Sequence, residues 1–171
     1  MRPRRILTFL ILVLGTLALG MTAASASVPS VPACSAGNMA LSVNPNPGGY
    51  YAGGRVVYLL WQNTGPACRL GGYPGVSALG SLGRLLGNPA GRTGVPWTVQ
   101  TFAPGQIRRS ALQITDVGNY GPLCHHAEAY FIAGIPPAND AADYASFMFP
   151  ACRNGGTTAP VYLHTGPLIP R

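Results

Sequence analysis

Past residue 26, no stretch of this sequence keeps apolar residues three and four positions apart over three turns. An amphipathic helix needs that spacing. The best helical candidate, Ala138 to Tyr144, is short. What recurs instead is a brief apolar run closed by Gly, Pro or Asn. Glycine and proline number 23 and 17 among 171 residues, against ordinary usage of about 7% and 5%. Seven to nine short strands separated by such turns predict an all-β chain folded as an antiparallel β-sandwich. The length suits one domain with its own core.

The strands can be placed in order. Met39 to Val43 alternates larger apolar and small residues, and Asn44-Pro45-Asn46-Pro47-Gly48-Gly49 is turn chemistry. Arg55 to Trp61 is the strongest strand, rich in β-branched and aromatic residues and apolar on both faces, so it belongs at the centre of a sheet. Asn63-Thr64-Gly65-Pro66 turns the chain at its end. Two short strands flank Gly80-Ser81-Leu82-Gly83, a loop follows from Asn88 to Gly94, and Trp97 to Phe102 reads as a strand. Arg108 to Thr115 is the next, with Arg109, Ala111, Gln113 and Thr115 on an outward face and Leu112 and Ile114 on a buried one. Asp116 to Cys124 is a loop. Strands over Ala129 to Ile132, Asp143 to Phe149 and Val161 to His164 complete the set.

The first 26 residues have the form of a secretory signal peptide. Arg2, Arg4 and Arg5 precede an apolar run from Ile6 to Gly20, and Ala24-Ser25-Ala26 offers a cleavage site before Ser27. The run is about 15 residues, short of the roughly 20 that a spanning helix needs. We therefore expect export, a short linker over 27–33, a single domain over 34–171, and no transmembrane span after cleavage. Val31-Pro32-Ala33-Cys34 only loosely resembles a lipidation site: Cys34 lies 14 residues past the apolar run, and a proline sits inside the motif. Lipidation would also leave an odd number of cysteines.

Cys34, Cys68, Cys124 and Cys152 are then an even set in an oxidising compartment, which predicts two disulfides. Three connectivities are open. Sequential pairing, Cys34–Cys68 and Cys124–Cys152, closes the shortest loops and is the one we expect. The spacings of 34, 56 and 28 residues hold no Cys-x-x-Cys metal motif. After cleavage, eight arginines against four carboxylates leave a net charge of +4. These charges are scattered, whereas nucleic-acid binders cluster theirs, so nucleic acid is excluded as a partner. Weak attraction to an acidic cell surface is consistent with the balance.

Several marks coincide along the chain: Cys34; the run Asn63-Thr64-x-x-x-Cys68-x-Leu70-x-Gly72-Tyr73-Pro74-Gly75-Val76; Ala103-Pro104-Gly105 before an Arg/Ser strand; Cys124; Pro136-Pro137; and Pro150-x-Cys152. From Cys34 to about Leu163 the sequence resembles the secreted bacterial family of domain of unknown function 4232 (DUF4232), common in actinobacteria. The resemblance implies an immunoglobulin-like sandwich, exported or surface-held, with cysteines paired first to second and third to fourth. It implies no activity. Family members often follow a lipobox or a long linker, whereas here only Ser27 to Ala33 precedes Cys34.

Reactive chemistry is sparse. His125, His126 and His164 with a carboxylate could make a zinc or copper site. Adjacent strand residues point to opposite faces, however, so His125 and His126 would not easily share one ion. Asp140 and Asp143 are the nearest acid pair, in an Ala-rich turn where solvation is expected. No nucleophile with a base and an orienting group is evident, and we expect neither an enzyme nor a cofactor. Tyr73 could contact a partner, or plug a corner beside the disulfide. Arg108 and Arg109 could engage carboxylates or phosphates of wall polymers, or one could be solvated and the other lie along the sheet. The expectation is a non-catalytic binding or interaction module facing an envelope or extracellular partner. The alternative is a secreted metal-binding protein using the three histidines.

Overall fold

A computed structural model describes residues 30–171. The expected leader, 1–26, and its cleavage point lie outside the described residues. The strands run in chain order as β1 (Met39–Tyr51), β2 (Gly54–Asn63), β3 (Cys68–Leu70), β4 (Gly75–Leu79), β5 (Leu85–Leu86), β6 (Gly91–Arg92), β7 (Gln100–Phe102), β8 (Ile107–Thr115), β9 (His126–Ile135), β10 (Asp143–Cys152), β11 (Leu163–Thr165) and β12 (Ile169–Pro170). Short 3-10 segments cover Ala36–Asn38 and Val117–Leu123. The described chain is thus mostly β. There are more strands than the seven to nine expected because six of them have only two or three residues.

The strands form three sheets. The largest has the order β1-β2-β8-β11-β6, with β12 also paired to β8; the second is β10-β9-β4-β5; the third is the pair β3-β7. As its composition predicts, β2 sits inside its sheet, between β1 and β8. Val57, Leu59 and Trp61 point inward and are buried, while Val56, Tyr58 and Leu60 on the other face are half-buried. On β8 the inward residues are Arg108, Ser110, Leu112 and Ile114. Arg109, Ala111, Gln113 and Thr115, expected to be exposed, are half-buried. Ser110 is satisfied by donating to the Gly166 carbonyl at 2.7 Å.

The buried faces of the two larger sheets meet in one core. Trp61, Leu59 and Leu112 face Val76, Ala129, Ile132 and Phe149 of the second sheet. Packing is tight at Gly134 of β9, where a methyl group would come within 2.8 Å of Trp61 Cη2. The edges meet as well. The Asp143 carboxylate accepts the Leu41 N–H at 2.6 Å, tying β10 to β1. Asp143 was expected to be solvated. It is half-buried because two backbone N–H groups, those of Leu41 and Tyr144, supply the bonds water would have made.

Local expectations change at several places: the expected loop Asn88–Gly94 holds the two-residue β6, the expected loop Asp116–Cys124 holds a 3-10 segment, and the expected strand Val161–His164 is strand only from Leu163. The predicted turn over Asn44–Gly49 is a bulge inside β1, with the register to β2 shifting between those residues. Pro45 and Pro47 have no N–H to give the ladder, so β1 buckles there and resumes. The predicted strand Trp97–Phe102 is strand only from Gln100. Ala138–Tyr144 forms no helix: Ala138 has φ 59°, outside the right-handed region, and β10 begins at Asp143. Cys34 is bonded to Cys68 and Cys124 to Cys152. No helix among the described residues is long and apolar enough to cross a membrane.

Candidate functional site

Asn63 ends β2 and holds the turn that follows. Its amide donates to the carbonyls of Pro66 at 2.9 Å and Phe102 at 2.8 Å, and its Oδ1 accepts from the Gly65 N–H at 2.9 Å. The turn delivers Cys68 into β3, which pairs with β7 and is tied by its disulfide to Cys34. Beyond β3, Gly71 lies against the segment before β7, where a methyl group would meet the Thr98 carbonyl oxygen at 2.5 Å. The Tyr73 hydroxyl donates to the Val95 carbonyl at 2.5 Å, and the Arg92 guanidinium carbon lies 5.8 Å from the Tyr73 ring centre.

These contacts hold residues 95–99 as a ridge. Val95, Trp97 and Val99, at every second position, are all exposed, with Trp97 at 49%. Beside Val99 is a shallow cavity of about 310 Å³, lined by Val31, Ala33, Leu70, Gly71, Pro137 and the exposed Arg69. The wall is pinned by Asn139, whose amide donates to the Cys34 carbonyl at 3.2 Å and whose Oδ1 accepts from Ala36 at 2.8 Å. The exposed indole thus stands in line with Val99, whose cavity holds apolar neighbours and the exposed Arg69, and the ridge is held by the Tyr73 bond and the close approach of Gly71. Trp97 escaped the sequence reading because alternation made it a strand residue. The signal was Gly94-Val95-Pro96: a proline beside it breaks strand pairing and leaves the indole uncovered.

Of the residues singled out by sequence, Tyr73 belongs to this site and the others fall elsewhere. Tyr73 is half-buried and works as a pin for the ridge rather than as a free contact. Arg108, offered as a contact for wall polymers, is corrected: it is 2% exposed. Its guanidinium donates to Gln100 Oε1 at 2.9 Å and the Thr101 carbonyl at 2.7 Å and lies 5.2 Å from the Phe102 ring centre. Burial pulls its pKa below the ordinary arginine value. Its role is to clamp β7 onto β8. Arg109 lies along the sheet, 4.8 Å from the Tyr58 ring centre.

The histidines do not converge. His125 and His126 are exposed beside the Cys124–Cys152 bridge, and His164 is on β11 between β8 and β6. Among the described residues no three His, Cys, Asp or Glu side chains are placed to share a metal ion. The other group with a shifted pKa is the Tyr162 phenol, raised by burial. Its hydroxyl donates to the Leu86 carbonyl at 3.1 Å inside the core.

The sequence matches the family model described as Domain of unknown function (DUF4232) over residues 34–167. No curated protein and no solved structure matches the chain.

Proposed function

The chain belongs to the DUF4232 family of domains of unknown function, and from its surface we propose that it is a non-catalytic binding module, exported and held or released at the cell envelope, whose contact surface is the Trp97 ridge. The observation that carries this is the exposure of Trp97 in line with Val95 and Val99, the last of which shares a cavity with the exposed Arg69. Hot spots in protein interfaces are enriched in Trp, Tyr and Arg, and a held platform loses less entropy on binding. Two disulfides suit an extracellular, oxidising setting. The acid pair gives little support to catalysis, since backbone N–H groups engage Asp143 and Asp140 is exposed.

We further propose that the framework is an immunoglobulin-like sandwich. The neighbour orders β1-β2-β8 and β10-β9-β4-β5 support it. They correspond to A-B-E and G-F-C-C′ of that fold. The chain departs from antibody domains in its bridges: Cys34, ahead of β1, is joined to β3, and Cys124, ahead of β9, to the end of β10, so neither links the two larger sheets across the core.

The test is co-sedimentation of the purified chain starting at Ser27 with washed cell envelope. The wild type is expected to pellet with the envelope. Trp97→Ala should weaken binding about tenfold or more, the effect of losing an interface anchor, with its thermal midpoint unchanged. A wild type that stays in the supernatant, or a Trp97→Ala variant that pellets equally well, would remove the proposal.

A further inference from the structure

A second apolar surface lies on the outer face of the β10-β9-β4-β5 sheet. Across it Tyr144 stands opposite Ala133, and Ala133 opposite Ser77. The next row sets Phe131 opposite Leu79 and Leu79 opposite Leu85. The row on the other side sets Ile135 opposite Gly75. Small residues therefore floor a trough of about 720 Å³ with larger apolar side chains around it. None of its lining residues is charged. An antiparallel sheet usually presents polar residues where one face meets water. Here Leu85 is 65% and Tyr144 60% exposed. Leu82, in the β4–β5 turn that flanks the trough through Gly83, is 83% exposed.

We infer that this face is a self-association surface and that its occupant is a second copy of this chain, related by a two-fold axis. Three observations carry it. The surface offers both a knob, Leu82, and a trough, and a two-fold interface must be complementary to itself. The face is free of charge at its centre, although the chain from Ser27 onward carries eight arginines against four carboxylates, so two copies can meet there without like-charge contact.

The third observation is the placement of charge at the corners. The β4–β5 turn, with exposed Arg84, lies beyond the Leu79 end of β4, on the β5 side of the sheet. The β9–β10 connection, with exposed Asp140, lies beyond the Gly75–Ile135 end, on the β10 side. Arg84 and Asp140 thus occupy diagonally opposite corners. A two-fold axis in the plane of the interface, perpendicular to that diagonal, brings Arg84 of each copy over Asp140 of the other. The same operation lays each Leu82 over the end of the partner trough floored by Gly75. The ion pairs sit at the rim, where they set register and specificity more than affinity.

Sedimentation velocity over a concentration series tests this with the chain starting at Ser27. The wild type is expected to dimerise. Leu82→Asp, Arg84→Asp and Asp140→Arg should each shift it toward monomer, and the double exchange Arg84→Asp with Asp140→Arg should restore the dimer. These side chains are exposed, so thermal midpoints should hold. A wild type that is monomeric throughout would overturn the inference, as would a dimer that Leu82→Asp and Arg84→Asp leave intact. Trp97→Ala leaves the dimer unchanged, which separates this surface from the envelope contact.

Discussion

Side-chain amides fasten the loops of this chain. Asn63 holds the β2–β3 turn to β7, and Asn139 ties the Cys34 segment to the Pro137 loop. Asn88 bonds the Gly156 and Ala159 backbone. Asn154 bridges His125 and Leu123 around the second disulfide. Only 9% of residues are charged, and an amide can donate and accept at a buried turn without the cost of desolvating a charge. Asn63 is fully buried, so its loss exposes that arithmetic most clearly. Asn63→Leu keeps the size but leaves the Phe102 and Pro66 carbonyls and the Gly65 N–H unpartnered. It should cost about 3 kcal/mol, read as a lower denaturant midpoint with the slope unchanged. A midpoint within error of the wild type would show that water can replace those bonds.

At the scale of elements, the contact between β2 and β9 sets how closely the two sheets approach. Trp61 lies directly on Gly134, a residue without a side chain. Gly134→Ala would place a methyl group 2.8 Å from the Trp61 ring and 2.7 Å from Leu41. Close-packed sheets can yield only by shifting side chains or backbone, so a loss of about 1–3 kcal/mol is expected. A changed near-ultraviolet circular dichroism band should accompany it as Trp61 moves. Gly37→Ala is the control: a methyl group there meets nothing within 4 Å, and stability should stay within about 0.5 kcal/mol.

For the whole molecule, two bridges of similar span act on a chain with many glycine turns. They close separations of 34 and 28 residues. In the chain-entropy model each removes about 3.5–4 kcal/mol of unfolded-state freedom. A domain of this size is stable by only about 5–15 kcal/mol. Replacing either cysteine pair by alanine should therefore leave a folded protein with a lower melting temperature. Replacing both should leave little or no cooperative transition, and melts followed by circular dichroism distinguish these outcomes. A quadruple variant that melts like the single-pair variants would mean that the core alone sustains the fold.

Read by itself, the sequence determined the β class, the inner place of β2, an even cysteine count and the family resemblance. Each depends on order along the chain: alternation, turn residues and motif spacing are local properties. The burial of Arg108 was half legible, since it shares strand parity with Leu112 and Ile114. What admits a cation on that face is the ring of Phe102 and the Thr101 carbonyl, brought from β7 by the fold. Only the tertiary structure decided how much of Trp97 is exposed, that Asp143 joins two sheet edges, and that His164 does not join His125 and His126 in a metal site. It alone set Arg84 and Asp140 beyond opposite corners of one sheet. Exposure and convergence depend on which segments return to meet each other, and a one-dimensional pattern specifies which way a side chain points but not what it will find there.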